Sequence, residues 1–185
     1  MFKLTNLALF ALTVIVGVAG LLAAANALNE QSTTSNATVN EYVAIGISDV
    51  LAAGIPFGSL DANTIDNNAT GNNAGGATDY NITVSTDTNI NIDLCIKDNA
   101  NLTSTGSTIP NVGYTWADNT TADAADMIPD YSYSITTAYD KLNVTNIAKS
   151  NSDHFKFFLD IPASQAAGDY NNTVTFKGVK TATAC

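Results

Sequence analysis

The chain contains no arginine, one histidine and only two cysteines among its 185 residues. Its seven lysines are outnumbered by 17 acidic residues, and the formal net charge is −10. Because contacts to phosphate groups depend on Lys and Arg, this balance argues against nucleic acid and against anionic membrane surfaces as partners. One histidine and two distant cysteines also do not supply the four ligands of a structural zinc site.

No constellation typical of an enzyme is visible. His154 follows Ser152 and Asp153 directly, but a Ser/His/Asp site needs these groups to converge in space, which adjacency along a strand does not provide. No lysine-containing, glycine-rich phosphate loop is present. We therefore predict a protein that is not an enzyme and that holds no cofactor.

Calcium is the metal that the composition suits best, because it takes oxygen ligands from Asp, Asn and backbone carbonyls. Two loops supply such residues, Asp118, Asp123, Asp126 and Asp130 in one and Asp61, Asn63 and Asp66 in the other. Neither loop fits the spacing of a calcium-binding loop. The preferred interpretation is that these acids are solvated, and no metal site is predicted.

The N-terminus carries an uninterrupted apolar run, residues 7–25, between Lys3 and the sequence Ala25-Asn26-Ala27. This layout is typical of a secretory signal peptide that is cleaved after residue 27. The run also approaches the ~20 residues that span a bilayer, so retention of residues 1–27 as a membrane anchor is the alternative. Both interpretations predict an extracellular, cell-surface location, with membrane contact only through an uncleaved N-terminus.

The remaining chain divides into a polar leader, residues 28–38, and a domain, residues 39–185. Removal of residues 1–27 removes one lysine and no acid, which leaves a formal charge of −11. Apolar and alternating segments predict about eight strands among nine candidate segments, at 39–47, 50–60, 80–84, 89–96, 101–103, 112–116, 131–139, 155–161 and 170–179. A long polar loop is predicted at 61–79, a hairpin turn at 86–88 and one helical turn at 121–127. The predicted fold is an all-β antiparallel sandwich, immunoglobulin-like or jelly-roll, after an N-terminal signal or anchor helix.

Two cysteines in a secreted chain suggest one disulfide, between Cys95 and Cys185. The bridge would close a loop of about 90 residues and would stabilise the fold by roughly 4–5 kcal/mol. A bond between subunits and two free thiols are the alternatives.

Seven Asn-x-Thr sequons are the most frequent motif of the chain. They begin at Asn36, Asn68, Asn81, Asn101, Asn119, Asn143 and Asn171. In a secreted domain they predict glycans on exposed turns and outward faces. The alternative is simple enrichment of Asn and Thr on sheet surfaces.

Residues 54–61 (GIPFGSLD) and the ending 159–176 resemble secreted β-sandwich proteins of archaeal cell surfaces, and more loosely bacterial surface modules. In proteins of that kind, a hairpin with the pattern of 162–174 closes the domain. Some of them, including archaeal bundling pili and bacterial biofilm fibres, form filaments by donor-strand exchange. The resemblance implies self-association into a homopolymer. The candidate donor is residues 33–47, with Val39, Val43, Ile45 and Ile47 on one face; the alternative is that this segment is the domain's own first strand.

A second hypothesis is a displayed module that binds carbohydrate or a partner protein. It would use exposed aromatic residues, for which Tyr114, Trp116, Tyr131 and Tyr133 are the candidates. This hypothesis requires those rings to line one open face.

Overall fold

The regular structure is almost entirely β-strand. The computed structural model describes residues 32–73 and 76–185, and the predicted signal segment 1–27 lies outside them. The chain separates into two units at the Val39–Asn40 boundary, and Asn40–Cys185 is the folded domain. Residues 32–39 contain no helix or strand. Across residues 32–73 and 76–185, no helix has the length and apolar character needed to cross a membrane.

In the described part of the domain there are ten strands, one short α-helix and three 3-10 turns. The strands are β1 (Ile45–Ile47), β2 (Thr64–Asn68), β3 (Asn81–Val84), β4 (Ile92–Asp98), β5 (Leu102–Ser104), β6 (Ser107–Ile109), β7 (Tyr114–Asn119), β8 (Asp140–Lys141), β9 (Ser152–Ile161) and β10 (Val174–Lys180). The helix, α1 (Asp49–Ala53), begins after Ser48, whose hydroxyl accepts a hydrogen bond from the Leu51 N–H.

Two antiparallel sheets build the sandwich, as the sequence predicts. In the five-stranded sheet, β9 pairs with β3 and β2 along one edge and with β7 along the other, and β1 extends the sheet beyond β3. The three-stranded sheet has the order β10-β4-β8. β5 and β6 form a separate hairpin that bridges to Asn171.

The core lies between the two sheets because alternate residues of each central strand point inward. β9 contributes Phe155, Phe157 and Leu159, and β4 contributes Ile92, Leu94 and Ile96. The rings of Phe155 and Phe176, from opposite sheets, lie 5.4 Å apart. Each such side chain stabilises the fold by roughly 1.5–3 kcal/mol through burial.

The predicted hairpin at 86–88 is wrong, because β3 and β4 lie in different sheets and the chain crosses between them there. The predicted strands 155–161 and 170–179 behave in the same way. They correspond to β9 and β10, which also belong to different sheets and do not form a hairpin. In both cases each strand buries an apolar face against the same core, which alternation alone cannot distinguish from direct pairing.

Four further local predictions differ from the structure. The predicted strand 131–139 is a 3-10 turn at Tyr131–Tyr133 followed by a single bridge from Ser134 to Thr115. The predicted loop 61–79 contains β2, a mostly polar edge strand that bends at a positive-φ residue, Asp66. The segment 50–60 is not a strand, since it begins in α1. The helical turn predicted at 121–127 is replaced by turns.

Candidate strand-docking groove

β10 is an edge strand with one free side. It pairs with β4 along its whole length, from Val174 opposite Asp98 to Lys180 opposite Ile92. Among the residues that the structure describes, no strand pairs with its other edge. A free edge presents unpaired N–H and C=O groups and is a template for an added strand.

One end of β10 is covered by the chain's own N-terminal strand. Val43 and Ile45 pack over Gly178, where an added Cβ would lie 3.0 Å from Val43 Cγ1 and 3.3 Å from Ile45 Cγ2. Glycine leaves the notch that receives these two side chains. At the same end, Lys180 forms an ion pair with Glu41.

The other end of β10 opens into a cleft of about 1050 Å³. Its walls are residues 51–62, which contain no strand, and residues 165–174, of which only Val174 belongs to a strand, β10. Apolar side chains form its floor: Leu102, Ile109, Tyr114, Leu159, Ile161 and Phe176. The rim is polar and includes Asp61, Gln165 and Asn172. The cleft therefore combines an apolar floor with a neighbouring sheet edge, which is the environment that an extended peptide needs.

The four predicted donor residues are distributed unevenly. Ile45 and Ile47 lie in β1 opposite Val84 and Ile82 of the same chain, and Val43 packs against the domain's own core. Only Val39 is outside the domain, and its side chain is 82% exposed. In this structure the C-terminal half of segment 33–47 is thus the domain's own edge strand, and residues 33–41 are the part without strand pairing.

The chain enters the domain through a small polar clamp. Asn89 accepts a hydrogen bond from the Tyr42 N–H at 2.8 Å and donates one to the Asn40 carbonyl at 2.9 Å. The Thr88 hydroxyl bonds both backbone groups of Ala44. These contacts fix where the leader begins, beside the Lys180 end of β10.

Cys95 and Cys185 form an intrachain disulfide, as predicted, with their Cα atoms 5.9 Å apart. It holds residues 181–185 on the outer face of the three-stranded sheet. Asp93 accepts hydrogen bonds there from Lys141, at 2.9 Å, and from the Ala182 N–H, at 3.0 Å. Burial raises the pKa of Asp93, but hydrogen bonds from the Asn146 and Ala182 N–H groups and from Lys141 outweigh it, so this pKa lies below its ordinary value.

The four candidate aromatic residues do not share one open face. Tyr114 and Trp116 belong to the core, with 2% and 1% of their surface exposed. Tyr133 is half-buried against Trp116, at 5.1 Å between ring centroids. Tyr131 is exposed, and its hydroxyl donates to Asp160 at 2.9 Å. The predicted aromatic platform is therefore not assembled from these four residues.

The strand alternation of β9 places Ser152 and Asp153, the two neighbours of His154 in sequence, on opposite faces of the sheet. Ser152 bonds the Thr83 hydroxyl at 2.7 Å, whereas Asp153 points to the opposite, core-facing side and is fully buried. Burial, and then the charge of Asp118, raise the pKa of Asp153 to about 9. These three neighbours in sequence do not converge into a triad.

The acidic side chains considered for calcium are also not brought together. Asp118 is buried and accepts hydrogen bonds from Asn143 and the Val144 N–H, while Asp123, Asp126 and Asp130 are exposed. Within 32–73 and 76–185, no group of three or more His, Cys, Asp or Glu side chains is arranged for a metal ion.

No family model matches the chain, and no curated protein or solved structure matches it either. The cleft was not predicted from the sequence, because its walls lie more than a hundred residues apart along the chain. Gly54, Pro56 and Gly58 were the available signal, since they interrupt an otherwise apolar segment.

Proposed function

We propose that this protein is an extracellular structural protein, a subunit of a cell-surface filament that assembles by β-strand donation. One observation carries the proposal: the N-terminal residues of the domain and the open cleft lie at opposite ends of β10. Glu41, where the leader joins the domain, pairs with Lys180 at one end, and Val174 and Phe176 line the cleft at the other.

This placement favours a head-to-tail assembly. A strand of seven residues spans about 23 Å, so Glu41 at the Lys180 end and the cleft lining at Val174 lie roughly that far apart. The donating and accepting surfaces are different, which makes the interface heterologous. Heterologous interfaces that do not close into a ring generate filaments.

The donor in this proposal is residues 33–39, the part of segment 33–47 that precedes the contacts of Asn40 and Glu41 with their own domain. Extended backbone would place Ala37 and Val39 on one side and Asn36 and Thr38 on the other. The apolar side would face the cleft floor, while the backbone would bond to the free edge of β10.

The composition supports this role. The predicted signal sequence would bring the chain to the cell surface, and the net charge of −10 keeps unassembled subunits soluble. The intrachain disulfide suits an oxidising, extracellular setting. Strand donation requires no cofactor and no catalytic group.

Electron microscopy of the purified secreted protein, together with light scattering at increasing concentration, tests the proposal. We expect filaments from the wild type and monomers from Val39→Asp, because a carboxylate would be buried on the cleft floor. Val112→Asp is the matched control, since Val112 is also a largely exposed valine, at 70%, but lies away from the cleft. Monomers of the wild type at all concentrations would refute the proposal.

Cross-linking identifies the donor and acceptor directly. Mixtures of Val39→Cys and Val174→Cys subunits are expected to form disulfide-linked dimers under oxidising conditions. Mixtures of Val39→Cys and Val112→Cys should not. Filaments without the Val39–Val174 link would mean that assembly uses another interface.

A further inference from the structure

The seven sequons are not equivalent in the folded domain. Five of the asparagines, Asn36, Asn68, Asn101, Asn143 and Asn171, are exposed, as is the threonine two positions after each of them. Asn81 and Asn119 are half-buried, and the side-chain amides of Asn119 and Asn143 are engaged by carboxylates. This difference follows from the contacts of each side-chain nitrogen, Nδ2, which is the atom that a glycan must reach.

Asn68 and Asn101 present this nitrogen to solvent. The Asn68 Oδ1 accepts a hydrogen bond from Asn72 at 3.1 Å, and the Asn101 Oδ1 accepts one from the Asn111 N–H at 3.1 Å. Each bond holds the carbonyl side of the amide. Among the residues that the structure describes, neither Nδ2 donates a hydrogen bond, so both are available for reaction.

In Asn119 and Asn143 the same nitrogen donates hydrogen bonds to carboxylates of the domain. Asn119 Nδ2 donates to both carboxylate oxygens of Asp126, at 3.1 and 3.2 Å. Asn143 Nδ2 donates to Asp118 at 3.0 Å, and Asp118 is only 8% exposed. A glycan on Asn143 would leave a buried carboxylate without one of its donors, which is costly.

Asn81 is blocked by its position in the sheet. It lies in β3, opposite His154 of β9, and its N–H bonds the Ser48 hydroxyl. The hydroxyl of its sequon threonine, Thr83, is engaged with Ser152 at 2.7 Å. The sequon therefore lies in a strand that is paired on both edges, with β1 and β9, and its Asn81 and Thr83 are both half-buried, unlike the exposed sequon residues of β2 and of the β5–β6 hairpin.

We infer that N-linked glycans are attached at Asn36, Asn68, Asn101 and Asn171, and that Asn81, Asn119 and Asn143 serve the fold unmodified. The co-reactant is a lipid-linked oligosaccharide diphosphate. Nδ2 bonds to the anomeric carbon and loses a proton to a base of the transferase, while the bond from that carbon to the diphosphate oxygen breaks and the lipid diphosphate leaves with the electron pair. The inference rests on the extracellular location in the proposed function, but not on strand donation.

Glycopeptide mass spectrometry of the protein from the cells that produce it is the test. We expect most molecules to be modified at Asn68 and Asn101, with Asn36 and Asn171 also occupied, and less than about a tenth of molecules to be modified at Asn81, Asn119 or Asn143. Glycan occupancy at Asn119 and Asn143 equal to that at Asn68 and Asn101 would overturn the inference. The same digest locates the mature N-terminus, so a secreted chain without glycans overturns the inference alone, whereas a chain that is never secreted also removes the proposed function.

Asp126→Ala tests the role of the hydrogen bond. This change frees Asn119 Nδ2, and occupancy at Asn119 is expected to rise at least several-fold. Asp123→Ala is the matched control, because Asp123 is an exposed acid of the same loop that makes no hydrogen bond to a sequon asparagine. Unchanged occupancy at Asn119 in Asp126→Ala would show that the bond does not protect it.

Discussion

Val43 packs against the bare backbone of Gly178, so that a Cβ added to Gly178 would lie 3.0 Å from Val43 Cγ1. The same Cβ would lie 3.0 Å from Ile92 Cδ1 of β4. The contact joins the N-terminal strand of the domain to the strand whose other end opens into the cleft. It also fixes the point from which the leader departs.

Replacing Gly178 with valine is expected to destabilise the domain by about 1–3 kcal/mol, because the notch for Val43 and Ile45 would be overpacked. Guanidinium unfolding measures the change. Gly46→Val is the control, since Gly46 is also a strand residue but an added Cβ there meets nothing within 4 Å. Equal stabilities of the two variants would mean that the notch carries no packing energy.

The side chain of Asn72 forms hydrogen bonds to the backbone of β9 at a position where no neighbouring strand of the described chain pairs with it on that edge. This side chain donates to the Phe157 carbonyl at 2.6 Å and accepts from the Phe157 N–H at 2.8 Å, between the segments where β3 and β2 pair with β9. Asn72→Ala leaves the Phe157 N–H buried without a partner, whereas the Phe157 carbonyl keeps its bond from the Ala69 N–H, and we expect a loss of roughly 1–3 kcal/mol.

Thermal unfolding of Asn72→Ala and Asn67→Ala measures the loss of stability in each variant, and we expect the two losses to differ. Asn67 makes only one such bond to β9, to the Leu159 carbonyl at 2.8 Å, and it is half-buried. The expected cost for Asn67→Ala is about 1 kcal/mol. A smaller effect for Asn72 than for Asn67 would contradict the role assigned to Asn72.

The sequence predicted the strands that alternate strongly, and it failed where tertiary contacts decide. Ile92, Leu94 and Ile96 on one face and Cys95 on the other were placed correctly, because β4 is a central strand with one face on the core. β2 was missed because it is an edge strand with few apolar residues, and Ile65 is 68% exposed. Its pairing depends on β9, which is about ninety residues away.

The site was less predictable than the fold. Segment 33–47 was identified as one candidate donor, with the polar leader running into a strand at 39–47, yet the domain divides it near Tyr42, where Asn89 and Thr88 bind the backbone. No local pattern signals a boundary that two residues from a later turn create. The cleft likewise depends on the distance between residues 51–62 and 165–174, which only the folded arrangement defines.

Removing the disulfide should cost the domain about 4 kcal/mol, because the Cys95–Cys185 bridge closes a loop with a sequence separation of 90. Thermal unfolding with and without reductant measures this loss in the wild type. A Cys95→Ala/Cys185→Ala variant should match the reduced wild type and should not respond to reductant. Equal melting temperatures of oxidised and reduced protein would show that the C-terminal segment is held mainly by its bonds to Asp93 and Lys141.

The stability of the domain should fall as the pH rises, because Asp153 is buried without a hydrogen-bond partner. The pKa of this carboxyl is raised from 3.8 to about 9 by burial and by the charge of Asp118. Between these values the unfolded chain releases the proton and the folded chain retains it. The contribution of Asp153 is therefore complete below about pH 4 and is lost by up to ~1.4 kcal/mol per pH unit until about pH 9.

Unfolding free energies measured between pH 7 and 8.5 test this group. Burial also raises the pKa of Asp98 and of Asp118, and both would act on stability in the same direction as Asp153. His154, whose pKa is lowered by burial, has the opposite effect, but only at pH values below the ordinary histidine range. Asp93, whose pKa is lowered, affects stability only under acidic conditions. Asp153→Asn should therefore remove most of the slope, while the exposed control Asp87→Asn should retain it. A slope in Asp153→Asn equal to that of the wild type would mean that Asp153 is ionised in the folded domain.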